Sequence, residues 1–437
     1  MLMHQIIKPE LQKLFVIQFF GAFNDNVLKS SLLILMTYQY LTIPGVDPKL
    51  LVTLSSGLFI LPFFLFSAFA GEVSTRFDKV SLMRMIKIME VGCALIASIG
   101  FYTKNVPLLL LTLFLMGLHS TLFGPIKYSL IPKYCFEQRI VFGNALINAG
   151  TFLAILFGTM LGSYLAASPG QLWIIKFILF LSAGIGLYFT YKLDHLAPED
   201  ITFTVNYHFF KSTKRLIRSM RNEHEIINLV LGISFMWFMG ATMLSIVPLI
   251  SKEVFRAKEI VASSMLLIFT LGMGGGPFIY NKIFKGEVVK LIWPICLFLM
   301  CALFFDLAFI LTQFEKGDLF PRSFQLLSLT QFLELDYAKR FFLDLFLLAF
   351  FSGIFTVSQY AELQLIVAPE SLSRVIAFNN ILNALFMVFA SVLLMSMFKL
   401  LLSFSVMISI VGLIAILFLF VLLFLYRADF EKYLHLS

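Results

Sequence analysis

Charge is scarce in this chain. Asp, Glu, Lys and Arg make up 13% of its 437 residues, about half the share of an ordinary soluble domain. Set against 60% apolar residues and a mean hydropathy of +0.93, that shortage excludes a soluble globular protein and predicts a polytopic membrane protein. Cysteine is scarce too. Cys93, Cys135, Cys296 and Cys301 form no CxxC pair, and three of them sit in apolar segments. They predict free buried thiols, neither a disulfide framework nor a metal site. No HExxH, GxSxG or clustered His/Cys set occurs, and the loops are too short for a catalytic domain, so neither an enzyme nor a cofactor is expected. The glycine-rich "LGMGGGPF" from Leu271 follows no strand and lacks Gly-Lys-Ser/Thr, so it reads as a helix-kinking segment. The formal charge of +8 fits membrane orientation better than nucleic acid.

Long apolar runs are what the chain has in plenty. About 20 apolar residues cross a bilayer core. By that measure spans are predicted near 13–37, 50–71, 81–103, 106–131, 139–166 and 171–193. After a break come 226–251, 260–283, 288–313, 339–366, 373–398 and 402–426, twelve in all. The polar start "MLMHQIIKPELQK" leads into an apolar run without a small-residue cleavage site, so no removable signal peptide is expected. With the N-terminus placed in the cytoplasm, about two-thirds of the 33 Lys and Arg fall on that side, Lys87 among them, which predicts cytoplasmic termini. At any single position, Phe (52 copies) reads as lipid-facing filler.

The break at 194–225 contains "HFFKSTKRLIRSMRN", in which Lys211, Lys214, Arg215, Arg218 and Arg221 alternate with apolar residues. It reads as an amphipathic helix on the anionic inner leaflet. A second loop, 314–338, is also expected to rest on the membrane. Six spans, a linker and six spans is the plan of the major facilitator superfamily. An internal repeat supports it: Arg139-x4-Asn144-x3-Asn148-Ala149 returns 235 residues later as Arg374-x4-Asn379-x3-Asn383-Ala384. The expected architecture is therefore all-α, with twelve transmembrane helices in two pseudo-symmetric six-helix bundles. The bundles are 1–193 and 226–437, joined by a cytoplasmic linker at 194–225.

Within these spans the ionisable residues stand out, because an intramembrane charge is costly and usually faces a cavity. In "FFGAFNDNVLK", Asp25 lies some 18 Å into the first span, near the midplane, with Asn26 beside it. Asp25 and Lys29 are four residues apart on one helix face, so each can neutralise the other. Two readings stay open: a structural ion pair, or a pair that meets a charged substrate. In span four, Gly124-Pro125 interrupts the helix just before Lys127, and His119 lies two turns away on nearly the same stripe. The residue equivalent to Lys127 in the second half is Glu362, flanked by Gln359 and Gln364. Glu90 and Asp306 are further intramembrane carboxylates, expected to pair with neighbours. "GTMLG", Gly158 to Gly162, permits close helix packing.

"FFGAFNDNVLK", "GPIKYSLIP", "GNALINAGTFLAILFGTMLG" and "RVIAFNNILNA" resemble the lysophospholipid transporter branch of that superfamily, with matches in both halves. The resemblance implies a central cavity lined by spans one, four, seven and ten. It also implies a flippase that moves lysophosphatidylethanolamine-like lipid across a bacterial inner membrane by alternating access. In that branch the transporter works beside, or fused to, an acyltransferase. None is fused here, so a separate partner is expected for a monomeric transporter. Asp25, Asn26, Lys29, Lys127, Asn144, Asn148, Gln359, Glu362, Asn379 and Asn383 are the expected substrate-contacting set. "GEVSTRFDKVSLMR" resembles the superfamily signature between spans two and three, and its gate is expected to involve Arg76, Asp78, Lys79, Lys127, Glu362 and Arg374. Thr75 stands where an Asp is usual, so the charge pairing of that gate is expected to use Asp78 or Glu72. Asn148 occupies a place often held by Glu, and "WFMGATMLSIVP" lacks the span-seven Arg of some members, which leaves a phosphate to Lys29 or Lys127. The alternative function is a proton-coupled transporter of a small amphiphile such as a drug or siderophore, with Asp25 or Glu362 as proton carrier.

Overall fold

An apolar run inside a bilayer can satisfy its backbone only as a helix or a closed barrel, and a helix stands at each of the twelve expected spans. The computed structural model describes residues 8–37, 41–45, 48–136, 139–167, 169–289, 292–316 and 326–426. Among the described residues, ten helices are long and apolar enough to cross a membrane. The other two expected spans, α1 (Pro9–Thr37) and α3 (Lys79–Thr103), are long enough but carry polar and charged residues along their length. The chain divides into two compact units, Met1–Asn222 with Gln364–Ala384, and Glu223–Leu363 with Leu385–Ser437.

In the first unit α1 packs on α5 (Ile140–Ala166) and α6 (Leu172–Tyr191), while α2 (Pro48–Arg76) packs on α4 (Val106–Tyr134). Small residues make these contacts close. A Cβ on Gly158 would sit 2.6 Å from the Phe23 carbonyl oxygen, and one on Gly162 would sit 2.5 Å from that of Val27. Ser31 uses the same proximity to donate to the Gly162 carbonyl at 3.1 Å. The "GTMLG" expectation therefore holds, and Gly117 plays the same part between α4 and α2, 2.2 Å from the Phe59 carbonyl.

The linker forms α7 (Phe209–Met220), but its apolar side is already occupied. Leu216 and Met220 are buried, and the Phe209 ring lies 5.1 Å from Phe66 of α2. Lys211, Lys214, Arg218 and Arg221 face outward together with Phe210 and Ile217. The amphipathic pattern thus closes onto the protein.

The second unit comprises α8 (His224–Leu249), which ends in a π-turn, α9 (Glu259–Ile283), α10 (Ile292–Glu315), the short α11 (Leu329–Glu334) and α14 (Phe404–Leu425). It also holds most of α12 (Ala338–Ile366) and the second half of α13 (Leu372–Lys399). The glycines of "LGMGGGPF" serve approach: a Cβ on Gly272 or Gly276 would meet the Phe346 or Phe350 carbonyl of α12 at 2.4 or 2.2 Å. Asp306 pairs with Arg340, as a lone carboxylate in an apolar helix requires. All four cysteines are free and buried. Residues 317–325 of the second expected membrane-resting loop lie outside the described residues.

Replacing Gly162 with Leu should force α1 from α5. Overpacking of this kind costs about 1–3 kcal/mol, so the thermal melting of purified protein should fall clearly. Gly184→Leu, where nothing lies within 4 Å, should melt like the parent.

Candidate functional site

The polar residues of α1 do not share one partner. Asn24, fully buried, donates from Nδ2 to Glu90 Oε1 at 2.8 Å. Glu90 Oε2 takes the Lys87 ammonium at 2.6 Å and lies 3.1 Å from His119 Nε2, an ion-pair distance without hydrogen-bond alignment. Asp25 accepts from the Ser120 hydroxyl through Oδ2, and its Oδ1 is buried with no hydrogen-bond partner. Asn26 turns back to its own helix, donating to the Ala22 carbonyl at 2.8 Å. Consecutive residues of α1 therefore engage α3 and α4.

Lys87 runs past two glycines on its way to Glu90, and Gly21 is the one whose small size it needs. A Cβ on Gly21 would lie 2.6 Å from Lys87 Nζ, and one on Gly186 would lie 3.4 Å from its Cδ. The Phe123 ring closes over the ammonium at 5.3 Å. Lys87, assigned by sequence to the polar end of span three, is thus wholly buried in the bundle. Sequence reasoning placed it outside because it stands about two turns into a helix start rich in polar residues. The cradling glycines belong to other helices, so local pattern could not reveal them.

Among the described residues no ion pair joins Asp25 to Lys29. The Lys29 ammonium instead lies 5.2 Å from the Phe59 ring centroid, and that of Lys127 lies 4.6 Å from the Tyr128 ring. Sharing a helix face did not suffice, because Ser120 of α4 draws the carboxylate sideways. Among the described residues of this unit, then, Asp25 Oδ1 has no hydrogen-bond partner and the ammonium groups of Lys29 and Lys127 form no ion pair.

The repeated asparagines are buried. Asn144 donates to Gln364 Oε1 at 2.7 Å, Gln364 donates to the Tyr128 carbonyl at 3.0 Å, and Asn148 accepts from the Tyr128 hydroxyl at 3.3 Å. Asn379 and Asn383 are buried on the α13 segment of the same unit. Gln359 and Glu362 are buried in α12 of the second unit, where Gln359 Oε1 would stand 3.0 Å from a Cβ on Gly232.

At the loop between α2 and α3, Asp78 caps α3 by accepting from the Val80 and Ser81 amides, each at 3.1 Å. It also receives His195 at 2.5 Å and the Leu196 amide at 3.1 Å. Burial alone would raise this carboxyl, but the hydrogen bonds from His195, Ser81, Leu196 and Val80 outweigh it and hold it well below the usual carboxylate range. Glu72 accepts from the Asn206 amide at 2.7 Å. Lys79 pairs with neither; its partner is Glu199 of the linker, at 2.9 Å. Asp78 and Glu72, the acids expected to supply the gate's charge pairing, face His195 and Arg215 of the linker, at 2.5 and 3.8 Å, while the carboxylate that meets Lys79 comes from the linker itself. Arg76 lies 6.0 Å from the Phe77 ring, and Arg374 stacks on Phe203 at 4.8 Å, a ring that also carries Arg215 at 4.6 Å. Sequence reasoning passed over Ser120, Lys87 and Glu199.

A family model described as Major Facilitator Superfamily matches residues 14–316. "Lysophospholipid transporter LplT" of Photorhabdus laumondii is 26% identical over 196 residues, 44% of this chain and 46% of that protein. That of Escherichia coli strain SE11 is 30% identical over 156 residues, 36% of each chain. These alignments span less than half the length of the curated relatives. The fold is similar to the human organic anion transporter MFSD10, with TM-score 0.70 and 14% identity over 95% of this chain and 99% of that one. It is also similar to a bacterial homologue of the iron transporter ferroportin, with TM-score 0.68 and 14% identity over 96% and 99%.

Removing one half of the Lys87–Glu90 pair should be far worse than removing both, since a lone buried charge costs about 3–5 kcal/mol. Lys87→Met should lower the melting temperature sharply, and Lys87→Met with Glu90→Gln should recover most of the loss. Equal melting of the single and double variants would show that the pair is solvated in practice.

Proposed function

The chain belongs to the Major Facilitator Superfamily, and on that premise we propose that it carries lysophospholipid with a zwitterionic, lysophosphatidylethanolamine-like head group from the outer to the inner leaflet of a bacterial inner membrane. The observation that carries this reading is the set of groups left over in the first unit. Among the described residues of that unit, one buried carboxylate oxygen of Asp25 has no hydrogen-bond partner, and Lys29 and Lys127 lie by aromatic rings without forming an ion pair. A buried acceptor without a partner costs free energy, and an ammonium in an apolar helix does too. A head group with one cation and one anion satisfies both at once. The ethanolamine ammonium takes Asp25, and the phosphate takes Lys29 or Lys127. Asn144, Asn148, Asn379 and Asn383, buried in the same unit, supply further polar groups for the head group, as Gln359 and Glu362 do from the second unit. The acyl tail stays against apolar, Phe-rich walls. The names of the curated relatives support the substrate class.

In this account the protein is a transporter with no chemistry of its own, both termini are cytoplasmic, and a separate acyltransferase re-esterifies the delivered lipid. Alternating access requires a gate, and Lys127 and Glu362, pseudo-equivalent residues of opposite charge, form a latch that a substrate phosphate competes for. Arg76, Asp78, Lys79 and Arg374 complete the gate region.

Asp25→Asn should fold, because it removes a buried charge, and should lose at least about tenfold in uptake of fluorescent lysophosphatidylethanolamine by reconstituted vesicles, a barrier near 1.4 kcal/mol or more. Parental uptake by this variant would leave Asp25 a purely structural role. Lys127→Glu and Glu362→Lys should each impair uptake, and the charge swap should restore part of it. Strictly additive losses would remove the latch.

A further inference from the structure

We propose that Glu199 is a gating residue carried by the linker: it clasps the α2–α3 loop to the start of α13, so the linker itself must let go before that end of the protein opens. The inference rests on the transport reading above but not on the identity of the substrate.

The clasp is built from four residues. Lys79 Nζ donates to Glu199 at 2.9 Å and to the Ser74 carbonyl at 2.8 Å. The Ser373 hydroxyl donates to Glu199 Oε1 at 2.9 Å, and the Ser373 amide lies 3.4 Å from Oε2. The hydroxyls of Ser74 and Ser373 are 3.0 Å apart. The side chains of Lys79 and Glu199 are 0% and 1% exposed, although Glu199 belongs to a polar linker. A buried ion pair is tolerated only where further hydrogen bonds satisfy both ions, and Ser74 and Ser373 supply them.

The linker is stapled on both sides of Glu199. Before it, the Leu196 amide donates to Asp78 at 3.1 Å; after it, the Asp200 amide donates to the Thr75 carbonyl at 3.1 Å and the Asn206 amide to Glu72 at 2.7 Å. This strap pushes one carboxylate between α2 and α13, beside the Thr75 carbonyl that holds the next residue. The helices are in close contact there: a Cβ on Gly71 would be 2.6 Å from Ala377 Cβ. Separating the α13 segment from α2 therefore requires Ser373 to leave Glu199, which exposes the Lys79–Glu199 pair. A device of this kind sets how often the end opens, without touching what is carried.

The test needs no substrate. Ile376, one turn beyond Ser373 and fully buried, is replaced by Cys. The four native cysteines are buried, so a membrane-impermeant maleimide reads mainly this reporter in purified, reconstituted protein. Glu199→Gln should raise its labelling rate by about 5- to 150-fold, the range of typical conformational couplings. Asp194→Ala, an exposed linker neighbour, should leave the rate unchanged. If Glu199→Gln does not fold, Ser373→Ala, which keeps the ion pair and cuts one arm of the clasp, is read in its place. Faster labelling supports the clasp, and unchanged labelling of the folded variant overturns it. Faster labelling with no lysophospholipid uptake by the parent would uphold the clasp and sink the substrate reading. Unchanged labelling with intact uptake would do the reverse.

Discussion

Taking a carboxylate and an ammonium out of water costs several kcal/mol per ion even after the protein relaxes, and the Lys87–Glu90 pair has no solvent exposure at all. The geometry of the first unit follows from meeting that cost. Glu90 gathers Lys87, Asn24 and His119 around one carboxylate. Asn24 thereby fixes the rotation of α1, and Asp25, next in sequence, is turned to Ser120 of α4. Gly21 is the position that gives way so that the lysine fits. Lys87 and Glu90 of α3 neutralise each other. Asp25, Lys29 and Lys127 of α1 and α4 form no ion pair among the described residues, and a zwitterionic lipid head group is the complement proposed for them.

Much of this was legible in the sequence. Twenty-residue apolar runs leave a membrane chain no alternative to helices, so every expected span is a helix, and "GTMLG" announced the α1–α5 approach because closeness there is a property of two small residues one turn apart. Asp25 was conspicuous because an acid in such a run has to be explained. What stayed hidden depended on neighbours distant in the chain. Lys87 looks like a polar helix end until Gly21 of another helix is known to lie against its ammonium. Nothing in "DHLAPEDIT" ranks Glu199 above Asp194 or Asp200; only the backbone staples at Asp78, Thr75 and Glu72 decide which carboxylate is pressed inward. The Asp25–Lys29 pair was the natural reading of an i, i+4 spacing, yet the hydroxyl of Ser120 on another helix intervened.

The linker illustrates the same point at larger scale. Its basic, amphipathic composition suited a membrane surface, but an apolar stripe packs on whatever apolar partner its connections allow, and α2 is adjacent. With Leu216 and Met220 spent on the protein, the exposed cations of α7 are free to face anionic head groups while the chain before it, 194–206, holds the α2–α3 loop. Linker and loop thus behave as one structural element.

In the proposed function, Asp25, Lys29 and Lys127 of α1 and α4 serve a zwitterionic lipid moving down its own gradient. The most direct measurement is entry of fluorescent lysophosphatidylethanolamine into vesicles containing the purified protein, with and without an imposed pH gradient. Protein-dependent entry of similar rate is expected in both conditions. Entry that occurs only with the gradient would contradict it in favour of a proton-coupled transporter, and no protein-dependent entry in either condition would contradict the substrate assignment itself.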